Sequence, residues 1–307
     1  MISIKDAGNL KDKRVLVRVD WSVPMDGGKI TNDFQIKATL PTLNYLHEAG
    51  TKVIVATHLE SINDSIESLK VYLPEGMELL PNLRENPGEE SNTEEFAKDL
   101  AFMADIYVND AFSVSHREHA SIVGVPKLLP SFAGLRFMEE VEHLSKALSP
   151  AHPFLFILGG AKFETKMPLV EKFLNIADSI FIAGANAKPA FEIFKDNPKV
   201  IFPVGDIAAL DADEEVIHQL AEKIENSEFI LWNGPLGKYE DGLKEGTLAL
   251  AKLIADSGKQ SIVGGGDTLS AINELGSLDK FTFVSTGGGA MLDFLATETL
   301  PGIEALN

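Results

Sequence analysis

Three glycine clusters in the second half of the chain carry the clearest chemical signal: Leu158-Gly159-Gly160-Ala161-Lys162, Gly264-Gly265-Gly266-Asp267-Thr268 and Thr286-Gly287-Gly288-Gly289. Each lies between an apolar run and a helical pattern. At the carboxyl end of a parallel strand, the next helix opens with unpaired N–H groups. Glycine lets an anion approach that backbone, and the helix dipole favours negative charge there. One such turn is often only tight geometry. Three in adjacent units, two of them followed by polar or basic side chains, favour phosphate. Lys162 and Lys166 are four apart and share a helix face. They are either two solvated lysines or a pair held together by an anion, and their place after Gly159-Gly160 favours the anion. Asp267 suits Mg2+, which takes one or two carboxylates plus phosphates. It also suits capping of a helix beginning near Thr268, and the two roles are compatible. Trp232-Asn233-Gly234-Pro235-Leu236-Gly237 reads as a rigid turn. Glu240 beyond it can accept ribose hydroxyls or be a plain surface acid. Neither G-x-x-x-x-G-K-[ST] nor a strand followed by G-x-G-x-x-G occurs, so these are not the commonest phosphate turns.

The elements that would position these groups alternate. RVLVRV (14–19) and KVIVAT (52–57) read as buried strands, with a helix between them ending at Gly50. DIYVND, PFLFILGG, SIFIAG, KVIFPV, EFILWNG, SIVGGG and FTFVSTGGG repeat the theme, most of them followed by helical patterns. Strands alternating with helices predict an α/β fold with mainly parallel sheets. About nine strands exceed one compact sheet, so two are expected, joined by a long amphipathic helix that opens at Pro130 and closes at Pro150 and Pro153. The chain has 307 residues, no cysteine and a formal charge of −19. The missing thiols exclude disulfides, Cys-ligated zinc and a cysteine nucleophile. The acidic surface argues against nucleic acid and anionic lipid. No run of about 18 apolar residues argues for a membrane span, and no secretory pattern opens the chain, so a cytoplasmic protein is expected. Arginine occurs only at 14, 18, 84, 117 and 136, so those positions are informative.

The order RVLVRVDWSVP, GKITNDFQIKATLPTLNYL, LLPNLRENPGEE, YVNDAFSVSHREHAS, ILGGAKFETK, LWNGPLGKYE, SIVGGGDTLSAI, VSTGGGAMLDFL and LPGIEAL resembles phosphoglycerate kinase over almost the whole chain. The resemblance implies two Rossmann-like parallel-sheet lobes joined by a hinge helix and closing around their ligands. Residues 1–133 would bind 3-phosphoglycerate, with the tail 291–307 packing back on them. Residues 134–149 would be the hinge, and 150–290 would bind MgATP or MgADP. Carried over by motif, Asp20 would bind the substrate hydroxyl with Ser22 nearby, and His58, Arg84 and Arg117 its carboxylate and phosphate. Lys162 would travel with the transferred group, and Lys166 would hold nucleotide phosphates. Gly265 and Gly266 would border the nucleotide, Asp267 would bind Mg2+, Thr268 a phosphate and Glu240 the ribose. The amides of Gly287, Gly288 and Gly289 would meet the group in flight. The partners implied are small molecules only, and the chain is expected to be a monomer.

The departures fall mainly on the acceptor side. Gln35 stands where the family has an arginine, and Ser22 where it has asparagine. The motif HLGRP reads His58-Leu59-Glu60-Ser61-Ile62, which loses a second arginine. A helix and strand are trimmed between His58 and LLPNLR, and another pair after NAKPAFEIFKDNPK. The turn at Ala183-Gly184-Ala185 has gained methyl groups. Losing one transition-state donor costs about 3 kcal/mol, roughly a hundredfold in rate. A slower working kinase is therefore expected. The rival readings are a degenerate nucleotide-binding sensor or scaffold, and a kinase for another small carboxylate. His47, His119, His143, His152 and His218 show no ligand spacing and read as ordinary surface or core residues.

Overall fold

Short apolar runs become parallel strands where helices cover both faces of a sheet, and two such sheets form here. A computed structural model describes residues 1–61 and 64–307. Contacts divide it into one unit of Met1–Glu142 with Thr299–Asn307, and another of His143–Glu298.

The first unit contains β1 (Arg14–Val19), an antiparallel ribbon of β2 (Met25–Asp26) and β3 (Lys29–Ile30), α1 (Phe34–Glu48), β4 (Lys52–Ala56), β5 (Glu78–Leu79), α2 (Pro87–Glu90), α3 (Glu94–Phe102), β6 (Ile106–Asp110), β7 (Ser131–Ala133) and the start of α4 (Leu135–Lys146). Its parallel sheet has the order β5-β4-β1-β6-β7. The chain moves outward from β1 through β4 to β5, then returns to β6 on the other side. The direction therefore reverses between β1 and β6. Val15, Val17 and Val19 of β1 pack with Ile36, Leu43 and Leu46 of α1 and with Val53, Val55 and Val108. Buried Trp21 donates to Thr39 Oγ1 at 2.8 Å, which anchors the turn after β1 to α1.

One expectation about this unit changes. No helix opens at Pro130: Ser131–Ala133 pair with Tyr107–Asn109 as the sheet's edge. The Pro130 carbonyl accepts the Tyr107 N–H at 3.0 Å, so the segment is held in the ladder. The helix begins only after Gly134, where an added Cβ would lie 2.2 Å from Asp110 Oδ1. Asp110 instead accepts the Phe137 N–H at 3.0 Å, and burial pushes its carboxyl up to about 6. Between His58 and LLPNLR lies a 3-10 helix over Ile66–Tyr72, and the short strand β5 runs into the LLPNLR motif itself. Ile62, the last residue of the altered motif, lies outside the described residues.

The second unit contains β8 (Phe154–Leu158), α5 (Phe163–Phe173), β9 (Ser179–Ile182), α6 (Ala187–Phe194), β10 (Val200–Ile201), α7 (Glu214–Glu225), β11 (Phe229–Asn233), α8 (Glu245–Ser257), β12 (Gln260–Gly264), α9 (Gly266–Glu274), β13 (Phe283–Val284) and α10 (Gly289–Thr297). Its parallel sheet has the order β10-β9-β8-β11-β12-β13, with the reversal between β8 and β11. His143 stacks on Phe283 at 4.3 Å, and His152 pairs with Asp178 at 2.6 Å. After α10 the chain returns to the first unit with α11 (Pro301–Glu304), where the Gly302 N–H donates to the Ser115 carbonyl at 2.8 Å. The return starts at Thr299, whereas the tail was expected from 291. The reason is that α10 packs against α5 and stays with the second unit.

Beneath the first sheet, Arg18 and Glu89 are both 1 % exposed and lie 4.0 Å apart. Glu89 also accepts the Ser121 N–H at 2.9 Å and its hydroxyl at 2.5 Å. Removing one partner of a buried pair strands the other charge. Glu89→Ala is therefore expected to destabilise the first unit by about 3–5 kcal/mol, measured by urea unfolding.

Candidate active site

Ligands of open α/β sheets bind outside the carboxyl ends of the strands where the strand order reverses. In the second unit that point lies between the turns after β8 and β11, and these turns touch backbone to backbone. The Gly160 N–H donates to the Pro235 carbonyl at 2.7 Å, and Gly159 N–H to the Asn233 carbonyl at 2.9 Å. A Cβ on Gly159 would lie 2.2 Å from the Pro235 carbonyl oxygen, and one on Gly234 would lie 2.5 Å from that of Gly159. Only glycine fits this contact. Beside it is a cavity of about 400 Å³ lined by Gly160, Lys188, Leu210, Pro235, Glu240 and Asp267, among others.

Lys162 immediately precedes α5 in the left-handed conformation, φ 63°, and its side chain reaches solvent. Lys166 bends back so that Nζ donates to the Gly159 carbonyl at 2.9 Å. Burial, and then the charge of Lys162, lower its pKa to about 8. Asn186 reaches the same carbonyl at 2.7 Å. Asp267 sits in the first turn of α9 and does not cap it; Gly265, at φ 107°, precedes the helix. Burial, and then Glu240, raise the Asp267 carboxyl. It has no ion pair among the described residues, and a cation would relieve that. The Thr268 hydroxyl is buried and accepts the Gly234 N–H at 3.1 Å, so it braces the turn after β11. The Gly287 amide is taken by Ser285 Oγ at 2.9 Å. Those of Gly288 and Gly289 have no partner among the described residues.

In the first unit the reversal lies between the turns after β1 and β6, and a polar chain runs there. Asp20 accepts the Ser22 N–H at 3.1 Å, the Ser22 hydroxyl at 2.6 Å, and the hydroxyl of Ser113 from the turn beyond β6. Burial pushes the Asp20 carboxyl up, but His58, Ser113, Ser22 and Arg18 together outweigh it and hold it below the usual carboxylate range. His58 Nδ1 lies 3.2 Å from Arg18 Nη2 and so accepts from it. Burial, then Arg18, lower His58 to about 4, so the ring is neutral near pH 7. His58 Nε2 faces Glu60 at 3.4 Å, and Glu60 is hydrogen-bonded to Arg84. Arg84 Nε is 3.3 Å from Glu90.

Asp20, Ser22, His58 and Arg84 are thus brought together, whereas the side chains of Gln35 and Arg117 make no hydrogen bond or ion pair among the described residues. Gln35 lies in the first turn of α1. Lys37 does not stand in for the lost arginine, because it pairs with Asp33 at 3.0 Å. Three participants escaped the sequence reading. Arg18 resembled any charged residue in a strand, and only its scarcity hinted at a role. Glu60 was visible merely as a glycine replaced. Lys188 borders the cavity without any glycine-turn signature.

The phosphoglycerate kinase family model matches residues 4–75, 60–196 and 191–298. The chain belongs to the phosphoglycerate kinase family. The phosphoglycerate kinase of Orientia tsutsugamushi (strain Ikeda) is 36% identical over 396 positions, covering 100% of this chain and 98% of the relative. That of Leptospira biflexa is also 36% identical, covering 97% and 96%. The solved phosphoglycerate kinase of Pyrococcus horikoshii OT3 superposes with a TM-score of 0.87 at 29% identity, covering 100% of this chain and 98% of that one. The Coxiella burnetii structure gives 0.84 at 30%, covering 99% and 98%. An alignment of 396 positions against 307 residues means that the relative carries segments this chain lacks. The chain is a phosphotransferase of this family.

Gly159→Ala must force the turns after β8 and β11 apart, because its neighbours are backbone carbonyls that cannot rotate away. A destabilisation of about 1–3 kcal/mol is expected. It should appear in thermal unfolding, with weakened nucleotide binding by calorimetry.

Proposed function

We propose that the chain catalyses reversible phosphoryl transfer between ATP and 3-phosphoglycerate, giving 1,3-bisphosphoglycerate and ADP. The observation that carries this reading is the joint survival, in one family member, of the Asp20–His58–Arg84 cluster at one switch point and the Lys162–Lys166 glycine turn at the other. In the forward direction an acceptor carboxylate oxygen forms a bond to the γ-phosphorus while the bond to the β–γ bridging oxygen breaks, and ADP leaves with that electron pair. No proton moves, so no general base is needed. The work is positioning and charge stabilisation.

Asp20 and Ser22 would orient the acceptor's hydroxyl. Arg84 and Arg117 would hold its anionic groups, with His58 as a neutral donor through Nε2. Lys162 would neutralise the moving phosphoryl group, with the unpaired amides of Gly288 and Gly289 beside it. Lys166 would leave the Gly159 carbonyl for a nucleotide phosphate, and Glu240 would take the ribose. Thr268 would serve by bracing the turn after β11. Asp267 would hold Mg2+, which, when bound, neutralises phosphate charge. Its carboxylate, raised by burial and with no cationic side chain paired to it among the described residues, fits that role. The expected cytoplasmic address and single-chain state belong to the same proposal.

The second reading, a nucleotide-binding homologue without turnover, draws on Gln35 and on Glu60 lying against Arg84. One assay separates the two: MgATP-dependent phosphorylation of 3-phosphoglycerate, coupled to reduction of the acyl phosphate. Turnover is expected, with Lys162→Ala lowering it at least about a hundredfold. No turnover above that control would favour the second reading. Gln35→Arg is expected to raise kcat by about ten- to a hundredfold with little change in nucleotide affinity.

Lys166 supplies a pH signature. A group with its pKa near 8 is about half protonated at pH 8, and a neighbouring phosphate raises that pKa. MgATP binding is therefore expected to take up roughly half a proton at about pH 8 and almost none at about pH 6.5 from this group. Lys166→Met should remove the difference. Calorimetry in buffers of different ionisation enthalpy measures it.

A further inference from the structure

Glu60 stands where the resemblance leads one to expect glycine, and its carboxylate lies on the very groups that would receive an anionic acceptor. One oxygen is hydrogen-bonded to Arg84 Nη1, and the other is 3.4 Å from His58 Nε2. The exposures are unequal. The side chain of Arg84 is 16 % exposed and that of His58 1 %, whereas that of Glu60 is 61 % exposed. The two receiving groups are fixed; the acid is tethered from the solvent side. Among the described residues, Glu90 contacts only Arg84 Nε, at 3.3 Å, and Arg84 Nη2 is buried without a hydrogen-bond partner.

We propose that Glu60 is a resident competitor in the acceptor site, a specificity-determining carboxylate that an incoming anion must displace from Arg84 and His58. The proposal rests on the acceptor reading above and adds to it a rule of selection. Binding becomes an exchange of one anion for another at the same buried cation. Glu60 regains water when it swings out, so the exchange is easy for a strong anion and unfavourable for a weak one. A doubly charged phosphate is attracted to Arg84 about twice as strongly as a singly charged carboxylate at equal distance. The resident acid therefore biases the site toward phosphorylated acceptors and lowers the affinity for all of them. It also gives Arg84 a counter-charge when no substrate is present, a role that the missing arginine at Ser61 would have worked against.

The test uses the full-length chain, Glu60→Gln and Glu60→Ala, titrated calorimetrically with inorganic phosphate and separately with 3-phosphoglycerate. Both variants are expected to bind both ligands about tenfold more tightly, the effect of freeing one charge-assisted contact. KM for 3-phosphoglycerate should fall in step while kcat and MgATP affinity stay within about twofold of the parent. An unchanged urea-unfolding transition of the first unit shows that the variants are folded. Phosphate affinity equal to or weaker than the parent's in both variants, or no phosphate binding by any form, overturns the proposal. If phosphate binding tightens while 3-phosphoglycerate binds to none of the three, the resident acid stands and the identity of the acceptor falls.

Discussion

A chain of charge −19 that must handle multiply charged anions can do so only by fixing its few cations against local structure. Long-range attraction works against it, because the summed field of the molecule repels the ligand. The positive end of each interaction is therefore made short-ranged. Lys166 is pinned to a backbone carbonyl, Arg18 is sealed beneath the first sheet, and Arg84 is wedged between two acids. Backbone amides, which add no net charge to the surface, supply the rest. Both units depend on this arrangement, and both place it where strand order reverses.

Most of the architecture was legible because the physical rules are local. Runs such as FLFIL and FILWN are apolar throughout, which marks strands covered on both faces. The glycine turns after β8, β12 and β13 announced themselves by type and spacing. What stayed hidden depended on partners distant in sequence. β5 and β7 are two and three residues long and exist because a neighbour's ladder extends to meet them. Pro130 looked like a helix start until Tyr107 claimed its carbonyl.

The site divides along the same line. Lys162, Lys166 and Asp267 could be picked out from their own neighbourhoods, and the family resemblance supplied Asp20, His58 and Arg84. Thr268, expected to face a ligand, also accepts a hydrogen bond from Gly234, 34 positions away. Arg18 joins Ser121, His58 and Glu89 from three separate segments, a convergence that no spacing along the chain encodes. Local chemistry thus revealed what a turn can bind, and folding decided which of its groups were already taken.

The first unit is assembled from the two ends of the chain, with residues 143–298 inserted between them. During synthesis the ribosome releases every residue of the second unit before Thr299–Asn307 emerge. The contact of Gly302 with Ser115, which seats the last helix, therefore has to wait. Domains generally fold as units as they emerge. The inserted unit can thus be finished while the unit encoded first still lacks its closing segment.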